Sequence, residues 1–462
     1  MKSFAAIGVL ALTANALIKE DRLPLKTSSI SVDKSQYDHT TDIYGGFVHP
    51  FRQEAPEVQT IHYPESKTFS KKLHRRAGHS KYTKSGQAQQ RAINRDVMTQ
   101  RSKPKGIWDM ISESLFPAYG VTYTQQPTKN YNNLLYVSEI HLGTPMQEMW
   151  VIWDTGSESL LVQSDLCTAC TANTFKTGDS TSFAFLEPAE YDSVTYMDGT
   201  SISGQLGTDR ACPVSDEASC VPSFQFTSIS QNNGLSDREE GIIGQWSGNI
   251  SGYDDVKLIM PQLSEAGAVD DTIFSWFMTD TEGDTYIDFG APNEAAMSSV
   301  DDLIYIDVID EDYWWTNYVT GIRWKGDSDT TEYALTSKKA LTDTGSSCII
   351  VPTDEYNVIL GKLSALVPDW NGEQYVFSCE AKNTLPSFEL LYGGYWFEVT
   401  PDDYLILEYE ENNTCSFCLS RDSGSEWILG DAFMRGWYSI HDHDQMRMGF
   451  VPFSGSPKSK AE

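Results

Sequence analysis

The chain has 462 residues, a length that favours two or three structural units over a single core. Its formal net charge of −31 argues against a nucleic-acid binder, because contacts with phosphates need Lys and Arg. Hydrophobic residues make up 40% of the chain, which is enough for packed cores and argues against global disorder.

The first 16 residues have the pattern of a secretory signal peptide. Lys2 precedes an apolar run from Phe4 to Leu12, and Ala14-Asn15-Ala16 is a small-x-small cleavage site. The run is too short to span a bilayer, and no later stretch reaches transmembrane length. The pattern predicts the secretory pathway, ending either outside the cell or in an acidic compartment that resembles a lysosome or vacuole.

A basic segment separates this signal from an acidic body. Residues 17–130 hold 18 Lys and Arg against 11 Asp and Glu, a net charge of +7. Residues 131–462 hold 15 against 54, a net charge of −39. Residues 17–125 show no sustained apolar period and cannot build a core alone. We predict a propeptide that binds the body through opposite charge, with a disordered tail as the alternative.

From Asn132 onward the composition and residue pattern are typical of a β protein. Short β-branched and aromatic runs alternate with Gly, Asp and Asn, which favours strands and turns over long helices. The clearest runs are residues 134–142, 149–153, 285–289, 303–308 and 428–429. These features predict an all-β fold.

An internal repeat divides this body. An apolar strand, the sequence Asp-Thr-Gly-Ser and a second apolar strand occur at residues 150–162 and again at 339–351. An apolar-apolar-Gly element follows each copy, at Gly241–Gly244 and at Trp427–Gly430. The same order in both halves predicts two similar β lobes related by a pseudo-two-fold axis.

Each copy supplies one carboxyl group, from Asp154 and Asp343. One Asp-Thr-Gly is more often an ordinary turn, but a two-fold axis would bring two copies together. Two adjacent carboxyls share one proton, because both cannot ionise easily. The ionised member can take a proton from water while the protonated member donates to a carbonyl oxygen. This chemistry is hydrolysis without a covalent intermediate, a metal or a cofactor.

The residues that follow each aspartate have predicted supporting roles. The glycines allow a sharp bend and can donate N–H groups to the carboxylate. The threonines can hydrogen-bond across the interface, and the serines can donate to the outer carboxylate oxygens and favour ionisation. These residues are Thr155, Gly156, Ser157, Thr344, Gly345 and Ser346.

The body resembles the pepsin-like aspartic proteases over about residues 131–453. The resemblance rests on the two Asp-Thr-Gly motifs, on Gly-Thr-Pro-Met-Gln at residues 143–147, and on Trp-Ile-Leu-Gly-Asp-Ala-Phe-Met-Arg at residues 427–435. It implies a bilobal all-β fold whose cleft holds an extended peptide. The expected units are an N-terminal lobe, a C-terminal lobe and a polar tail, at residues 126–295, 296–453 and 454–462.

Residues 195–204 resemble the flap of that family, a β-hairpin over the cleft, and Asp198-Gly199 is a strong turn signal. By resemblance, Tyr196 closes over the substrate, with Gly199 and Thr200 beside it. The resemblance also implies two pocket-lining residues, Ile152 and Tyr313.

Three residues near the flap and the first motif depart from the family pattern. Met197 and Glu158 stand where the family usually has Gly and a small polar residue. Leu161 stands where a Trp normally supports the flap tyrosine. We therefore expect the flap to be positioned differently, with the two aspartates unaffected.

Eight cysteines in a secreted chain predict disulfides. The expected pairs are Cys167–Cys170 and Cys379–Cys415 by resemblance and nearness, Cys212–Cys220 across a short loop, and Cys348–Cys418 as the two that remain. The two C-x-x-C pairs leave a zinc site as the alternative, which an oxidising compartment disfavours. Two sequons predict glycans at Asn249 and Asn412.

Lys81-Tyr82 resembles the inhibitory Lys-Tyr pair of the family's propeptides. A Lys ammonium between the two aspartates would occupy the place of water. Acid would release the segment, because many carboxylates protonate below about pH 4–5. Tyr82 lies further from the mature start than the family usually allows, so Lys103 and Lys105 are alternatives.

The leading function is an aspartic endopeptidase that works at acid pH and is made as an inactive precursor. A catalytically silent pepsin-like binding protein is the alternative, and a cysteine-rich structural or carbohydrate-binding protein is a third. The repeated Asp-Thr-Gly disfavours the third. The expected partners are extended polypeptides and the chain's own propeptide, and we expect a monomer without nucleic acid, membrane span, metal or cofactor.

Overall fold

A computed structural model describes residues 124–248, 258–281, 283–309, 314–325, 332–367, 376–422 and 426–462. Outside these ranges lie the predicted signal peptide, almost all of the predicted propeptide, and Lys81, Tyr82, Lys103, Lys105, Asn249 and Tyr313. Strands dominate the described residues, whose longest helix has 13 residues. The prediction of an all-β fold is confirmed.

The N-terminal half contains most of the strands that surround the first motif. They are β1 (Thr124–Tyr131), β2 (Leu135–Leu142), β3 (Gln147–Asp154), β4 (Leu160–Gln163), β5 (Ala184–Phe185), β6 (Tyr191–Thr195), β7 (Ser201–Cys212), β8 (Val221–Asn233), β9 (Gly241–Gly244), β10 (Ile273–Phe277) and β11 (Thr285–Phe289). A short helix, α1 (Ile259–Glu265), precedes β10. Its buried face consists of Ile259, Met260 and Leu263.

The C-terminal half adds further strands and three helices. The strands are β12 (Ile304–Asp307), β13 (Thr316–Trp324), β14 (Glu332–Thr342), β15 (Ile349–Pro352), β16 (Phe377–Ser378), β17 (Phe388–Tyr392), β18 (Tyr395–Val399), β19 (Leu405–Tyr409), β20 (Thr414–Phe417), β21 (Leu419–Asp422), β22 (Trp427–Leu429), β23 (Trp437–Asp442) and β24 (Arg447–Pro452). The helices are α2 (Thr353–Ala365), α3 (Pro401–Tyr404) and α4 (Asp431–Met434).

The strands form three sheets. The largest has 14 strands in the order β12-β24-β23-β10-β11-β1-β2-β3-β9-β4-β8-β7-β5, with β6 paired to β7. A second sheet has the order β18-β17-β13-β14-β22-β15-β21, and a third has the order β16-β20-β19. Strands β12, β23 and β24 of the C-terminal half therefore extend the sheet of the N-terminal half, so one sheet includes strands from both predicted lobes.

The sequence repeat corresponds to a repeated topology. In the first copy, β3 pairs in parallel with β9, and β4 pairs antiparallel with the same strand. In the second copy, β14 and β15 pair with β22 in the same two senses. Glycine is required in both apolar-apolar-Gly elements because backbone lies against it. A Cβ would lie 2.5 Å from the Glu158 backbone at Gly244 and 2.1 Å from the Ser346 carbonyl oxygen at Gly430.

The segment predicted as a polar tail is packed against the C-terminal half. Lys458 and Ala461 are buried, and Glu462 exchanges two backbone hydrogen bonds with Trp396 of β18. Asn412, by contrast, is exposed. None of the described helices has the length and hydrophobicity needed to cross a membrane.

Candidate active site

The two predicted catalytic aspartates lie at equivalent strand ends. Asp154 is the last residue of β3, and Asp343 directly follows β14. Both are buried, at 1% and 0% exposure. The N–H of Gly156 donates to Oδ1 of Asp154 (2.8 Å), and the N–H of Gly345 donates to Oδ1 of Asp343 (2.9 Å). Each motif thus fixes its own carboxylate through the glycine two residues later.

Reciprocal hydrogen bonds between threonines join the two motifs. The N–H of Thr155 donates to Oγ1 of Thr344 (3.0 Å), and the N–H of Thr344 donates to Oγ1 of Thr155 (2.9 Å). The Thr155 hydroxyl donates to the Thr342 carbonyl (2.8 Å), and the Thr344 hydroxyl donates to the Trp153 carbonyl. All four bonds cross between the halves of the chain, so they hold the two loops in a fixed relative position.

Close contact between the loops also brings the carboxyls together. A Cβ on Gly345 would lie 2.4 Å from Oδ1 of Asp154, so only glycine fits there. Burial raises the pKa of Asp154 to about 6. Burial and the neighbouring Asp154 carboxylate raise the pKa of Asp343 well above its ordinary value. The hydrogen bond between the two side chains lowers the pKa of Asp154 and raises the pKa of Asp343, so Asp343 keeps its proton to higher pH than Asp154.

The two serines do not behave alike. The Ser157 hydroxyl lowers the pKa of the Asp154 carboxyl, although its Oγ makes no hydrogen bond of good geometry within the described residues. The Ser346 hydroxyl instead donates to the Cys348 carbonyl (3.5 Å). The prediction that both serines donate to the carboxylates is therefore wrong for Ser346, because its side chain turns towards the backbone of its own loop.

The predicted flap is a hairpin of β6 and β7. The N–H of Tyr196 donates to the Thr200 carbonyl (2.8 Å), and Gly199 has a φ of +88°, a conformation that favours glycine. Both carboxylate oxygens of Asp198 accept hydrogen bonds from Thr200, at 2.8 Å each. Thr200 therefore stabilises the turn, while Met197 lies at the tip and is 46% exposed.

Tyr196 points inward, towards the first aspartate. Its side chain is 3% exposed and packs in a cluster with Ile152 and Leu161. Burial raises the pKa of Tyr196, and the Asp154 carboxylate raises it further. The buried hydroxyl has no hydrogen-bond partner within the described residues. Leu161 thus packs in the same cluster as Tyr196 but offers its hydroxyl no polar atom.

Two further buried residues, not predicted from the sequence, are linked to the aspartates. Asp431 is buried at the start of α4, and burial raises its pKa well above the ordinary value, with Arg435 lowering it and Asp154 raising it. Nε1 of buried Trp315 donates to the Gln245 carbonyl (2.6 Å), and the N–H of Gln245 donates to the Asp154 carbonyl (2.7 Å). Asp431 lies in the motif at residues 427–435. No sequence signal distinguishes Trp315 from other buried aromatic residues.

All eight cysteines form disulfides in the structure. The pairs are Cys167–Cys170, Cys212–Cys220, Cys348–Cys418 and Cys379–Cys415, the same four that the sequence analysis expected. Disulfide sulfur is not a thiolate ligand, so these cysteines are not available to zinc. Within the described ranges, no group of three or more His, Cys, Asp or Glu residues is arranged to hold a metal ion.

A buried carboxyl pair between two β motifs is the arrangement that aspartic proteases use. The family model of the eukaryotic aspartyl proteases matches residues 135–453, and the chain belongs to this pepsin-like family. It is 30% identical to pepsin A of Bos taurus over 71% of this chain and 87% of the relative. It is 29% identical to human cathepsin D over 70% and 82%, and 30% identical to the vacuolar aspartic protease of Candida albicans over 71% and 77%.

Proposed function

We propose that the protein is an endopeptidase that hydrolyses peptide bonds at acid pH with water activated between Asp154 and Asp343. The observation that supports this most directly is the pair of buried, adjacent carboxyls, which a hydrogen bond links and whose pKa values differ. Such a pair supplies a base and an acid in the same step. The threonine bonds between the loops keep both groups in place before substrate binds.

The proposed reaction balances without any further group. Water attacks the carbonyl carbon of the scissile bond, its proton passes to Asp154, and the proton of Asp343 passes to the carbonyl oxygen. A neutral tetrahedral diol results. Asp154 then protonates the amide nitrogen, the C–N bond breaks, and a diol hydroxyl returns its proton to Asp343. Both carboxyls finish in their starting protonation states.

The alternative, a silent pepsin-like binding protein, is separated from this proposal by one assay. Wild type and Asp154→Asn are incubated with acid-denatured haemoglobin at pH 3–5, with and without a transition-state-like peptide inhibitor. Cleavage by wild type that both the substitution and the inhibitor abolish supports the peptidase. Binding of the substrate by wild type without any cleavage supports the silent protein.

We also infer that the basic segment is an inhibitory propeptide and that it is cleaved before Thr124. Strand β1 pairs with β11 from Thr124, opposite Phe289, to Thr128, opposite Thr285, and continues along β2. Cleavage inside β1 would shorten a strand that lies within the largest sheet and would break its first pairings with β11. The proposed boundary is therefore at least two residues earlier than the one drawn at residue 125.

Acidification of the purified precursor tests this inference, with mass, amino-terminal sequence and activity followed together. We expect activity to appear as the leader is lost, with a new terminus at or before Thr124. Lys81→Ala, Lys103→Ala and Lys105→Ala then identify the inhibitory lysine as the one whose loss gives activity near neutral pH. Full activity in a form that retains the leader, without a lag, would remove the propeptide from the proposal.

The route through the cell is likewise proposed, from the signal pattern and the acid chemistry. One relative is named as a vacuolar protease, which fits an acidic destination. Expression with the natural leader, followed by amino-terminal sequencing and glycosidase treatment, tests the route. Glycosidase-sensitive mass at the exposed Asn412 would support entry into the secretory pathway.

A further inference from the structure

The segment after the family match, residues 454–462, carries two lysines in different surroundings. The Lys458 side chain is only 2% exposed, and its Nζ lies 3.0 Å from Oδ2 of Asp403 and donates to the Glu398 carbonyl (3.2 Å). The Lys460 side chain is 59% exposed in an ion pair at the surface. One cation is therefore inside the protein and the other is solvated.

A buried ammonium is costly unless it is paired, so the environment of Lys458 needs a counterion. Burial lowers its pKa, and Asp403 raises it by attraction and by a hydrogen bond. Arg435 lowers the pKa of Lys458 and Glu398 raises it, each by a smaller amount. Oδ2 of Asp403 also accepts hydrogen bonds from the N–H (2.7 Å) and the hydroxyl (2.9 Å) of Thr400. Oδ2 of Asp403 thus has three partners, which are the Thr400 N–H, the Thr400 hydroxyl and the Lys458 ammonium.

Asp403 in turn holds an arginine that joins the two halves of the chain. Its carbonyl accepts from Nη2 of Arg435, and Nη1 of the same arginine donates to the Asn133 carbonyl (2.9 Å) between β1 and β2. Arg435 is 3% exposed. The buried guanidinium therefore connects α3 of the C-terminal half with the first hairpin of the N-terminal half.

The tail also contacts the residue after that arginine. Gly436 has a φ of +86°, and a Cβ there would lie 2.5 Å from Cε of Lys458. The Ser456 hydroxyl donates to the Gly436 carbonyl (2.7 Å). The tail therefore fixes Arg435 from two sides, through Asp403 and through Gly436.

The segment that contains Arg435 supports the loop of the second aspartate. Helix α4 immediately precedes Arg435, and the N–H of Asp431 donates to the Ser346 carbonyl (2.7 Å). The N–H of Ala432 donates to the Ser347 carbonyl (3.0 Å). Since Ser346 closes the turn that begins at Asp343, a displacement of α4 would move that loop.

We propose that Lys458 is a positioning residue for the catalytic pair, acting through Asp403, Gly436 and Arg435 on the loop after Asp343. The proposal rests on the proposed peptidase function. Residues 454–462, which follow the region matched by the family model, would then affect catalysis.

Lys458→Met tests the proposal in the full chain, and Lys460→Met is the matched control, since it removes the same charge from the same segment at the surface. The probe is an internally quenched peptide chosen from the cleavage products of acid-denatured haemoglobin. We expect kcat of Lys458→Met to fall by about ten- to a hundredfold with KM within about twofold, because small displacements of catalytic groups are costly. Lys460→Met should match wild type.

Two further readouts distinguish positioning from a general loss of stability. The fall in kcat of Lys458→Met should persist at a temperature well below its midpoint of thermal unfolding, because a displaced loop lowers kcat even when every molecule is folded. Lys458→Met/Asp403→Asn removes the unpaired charge but does not restore the lost contacts, so its free energy of unfolding should recover while kcat stays low. If Lys458→Met does not fold, Lys458→Gln takes its place, with a reduced kcat expected.

The result that overturns the proposal is a kcat within twofold of wild type in folded Lys458→Met or Lys458→Gln. An equal loss in Lys460→Met overturns it as well. Failure of the peptidase proposal is recognised separately, because wild type itself would then cleave nothing and Asp154→Asn would behave identically.

Discussion

The two Asp-Thr-Gly-Ser loops have the same four residues, but their surroundings differ. Asp154 has the Ser157 hydroxyl nearby, which lowers its pKa. Asp343 lacks the equivalent contact, because Ser346 donates to the Cys348 carbonyl, and the Asp431 carboxyl raises its pKa further. A symmetric sequence thus produces an asymmetric pair, and the asymmetry assigns the proton to Asp343.

The largest expected effect comes from removing either carboxylate. Asp154→Asn and Asp343→Asn should each reduce kcat by about 10²–10⁴-fold, because the base and the acid of one step are both needed. Thermal unfolding monitored by circular dichroism should show that both variants fold. Substantial activity in either purified variant would contradict the shared role of the pair.

Contact between the loops is tested at Gly345. Gly345→Ala should lower kcat by about tenfold or more, because the new Cβ would lie 2.4 Å from Oδ1 of Asp154 and displace it. Gly361→Ala on α2 is the matched control, since nothing lies within 4 Å of its added Cβ. Equal kcat in the two variants would show that the loops tolerate separation.

The second loop also lies near two buried histidines, and this predicts that the free energy of unfolding depends on pH. The hydroxyl of Thr342, the residue before Asp343, donates to the Trp315 carbonyl. The rings of His441 and His443 pack against the Trp315 ring, with centroids 4.9 Å apart in each case. Burial, with a smaller contribution from His443, lowers the pKa of His441 to about 3. Burial lowers the pKa of His443 to about 4, with Asp444 opposing.

An imidazole with a depressed folded pKa destabilises the fold as pH falls, because below about pH 6.5 the unfolded chain takes up the proton first. His441→Phe should therefore reduce the loss of unfolding free energy between pH 6.5 and 4 by about 1–3 kcal/mol. Urea unfolding at a series of pH values measures this. A loss as steep as that of wild type would mean that another group causes it.

The smallest expected effect separates the two serines. Ser157→Ala should raise the pKa of Asp154 and shift the acid limb of kcat/KM upward by less than about one pH unit. Ser346→Ala should leave that limb in place, because its hydroxyl bonds to backbone. Equal shifts in the two variants would show that both serines act on the carboxyls in solution.

Much of this protein could be predicted from local sequence patterns. Alternating β-branched and aromatic runs specify strands, and a repeated strand–Asp-Thr-Gly-Ser–strand pattern specifies two equivalent loops whose carboxyls meet at an interface. The turn at Asp198-Gly199 and the glycines of both apolar-apolar-Gly elements are determined in the same way. Each of these features depends on residues close together in the chain, so a single sequence reveals it.

Other features were decided only by tertiary contacts. The hydrogen bond between Thr155 and Thr344 joins residues 189 positions apart, and neither residue's neighbours indicate its direction. Asp431, Lys458 and Ser346 are ordinary polar residues in sequence. Their burial and partners arise when distant segments pack, and the cost of burying a charge or hydroxyl then selects one arrangement. The sequence therefore determined which groups could react, while long-range packing decided which of them holds the proton.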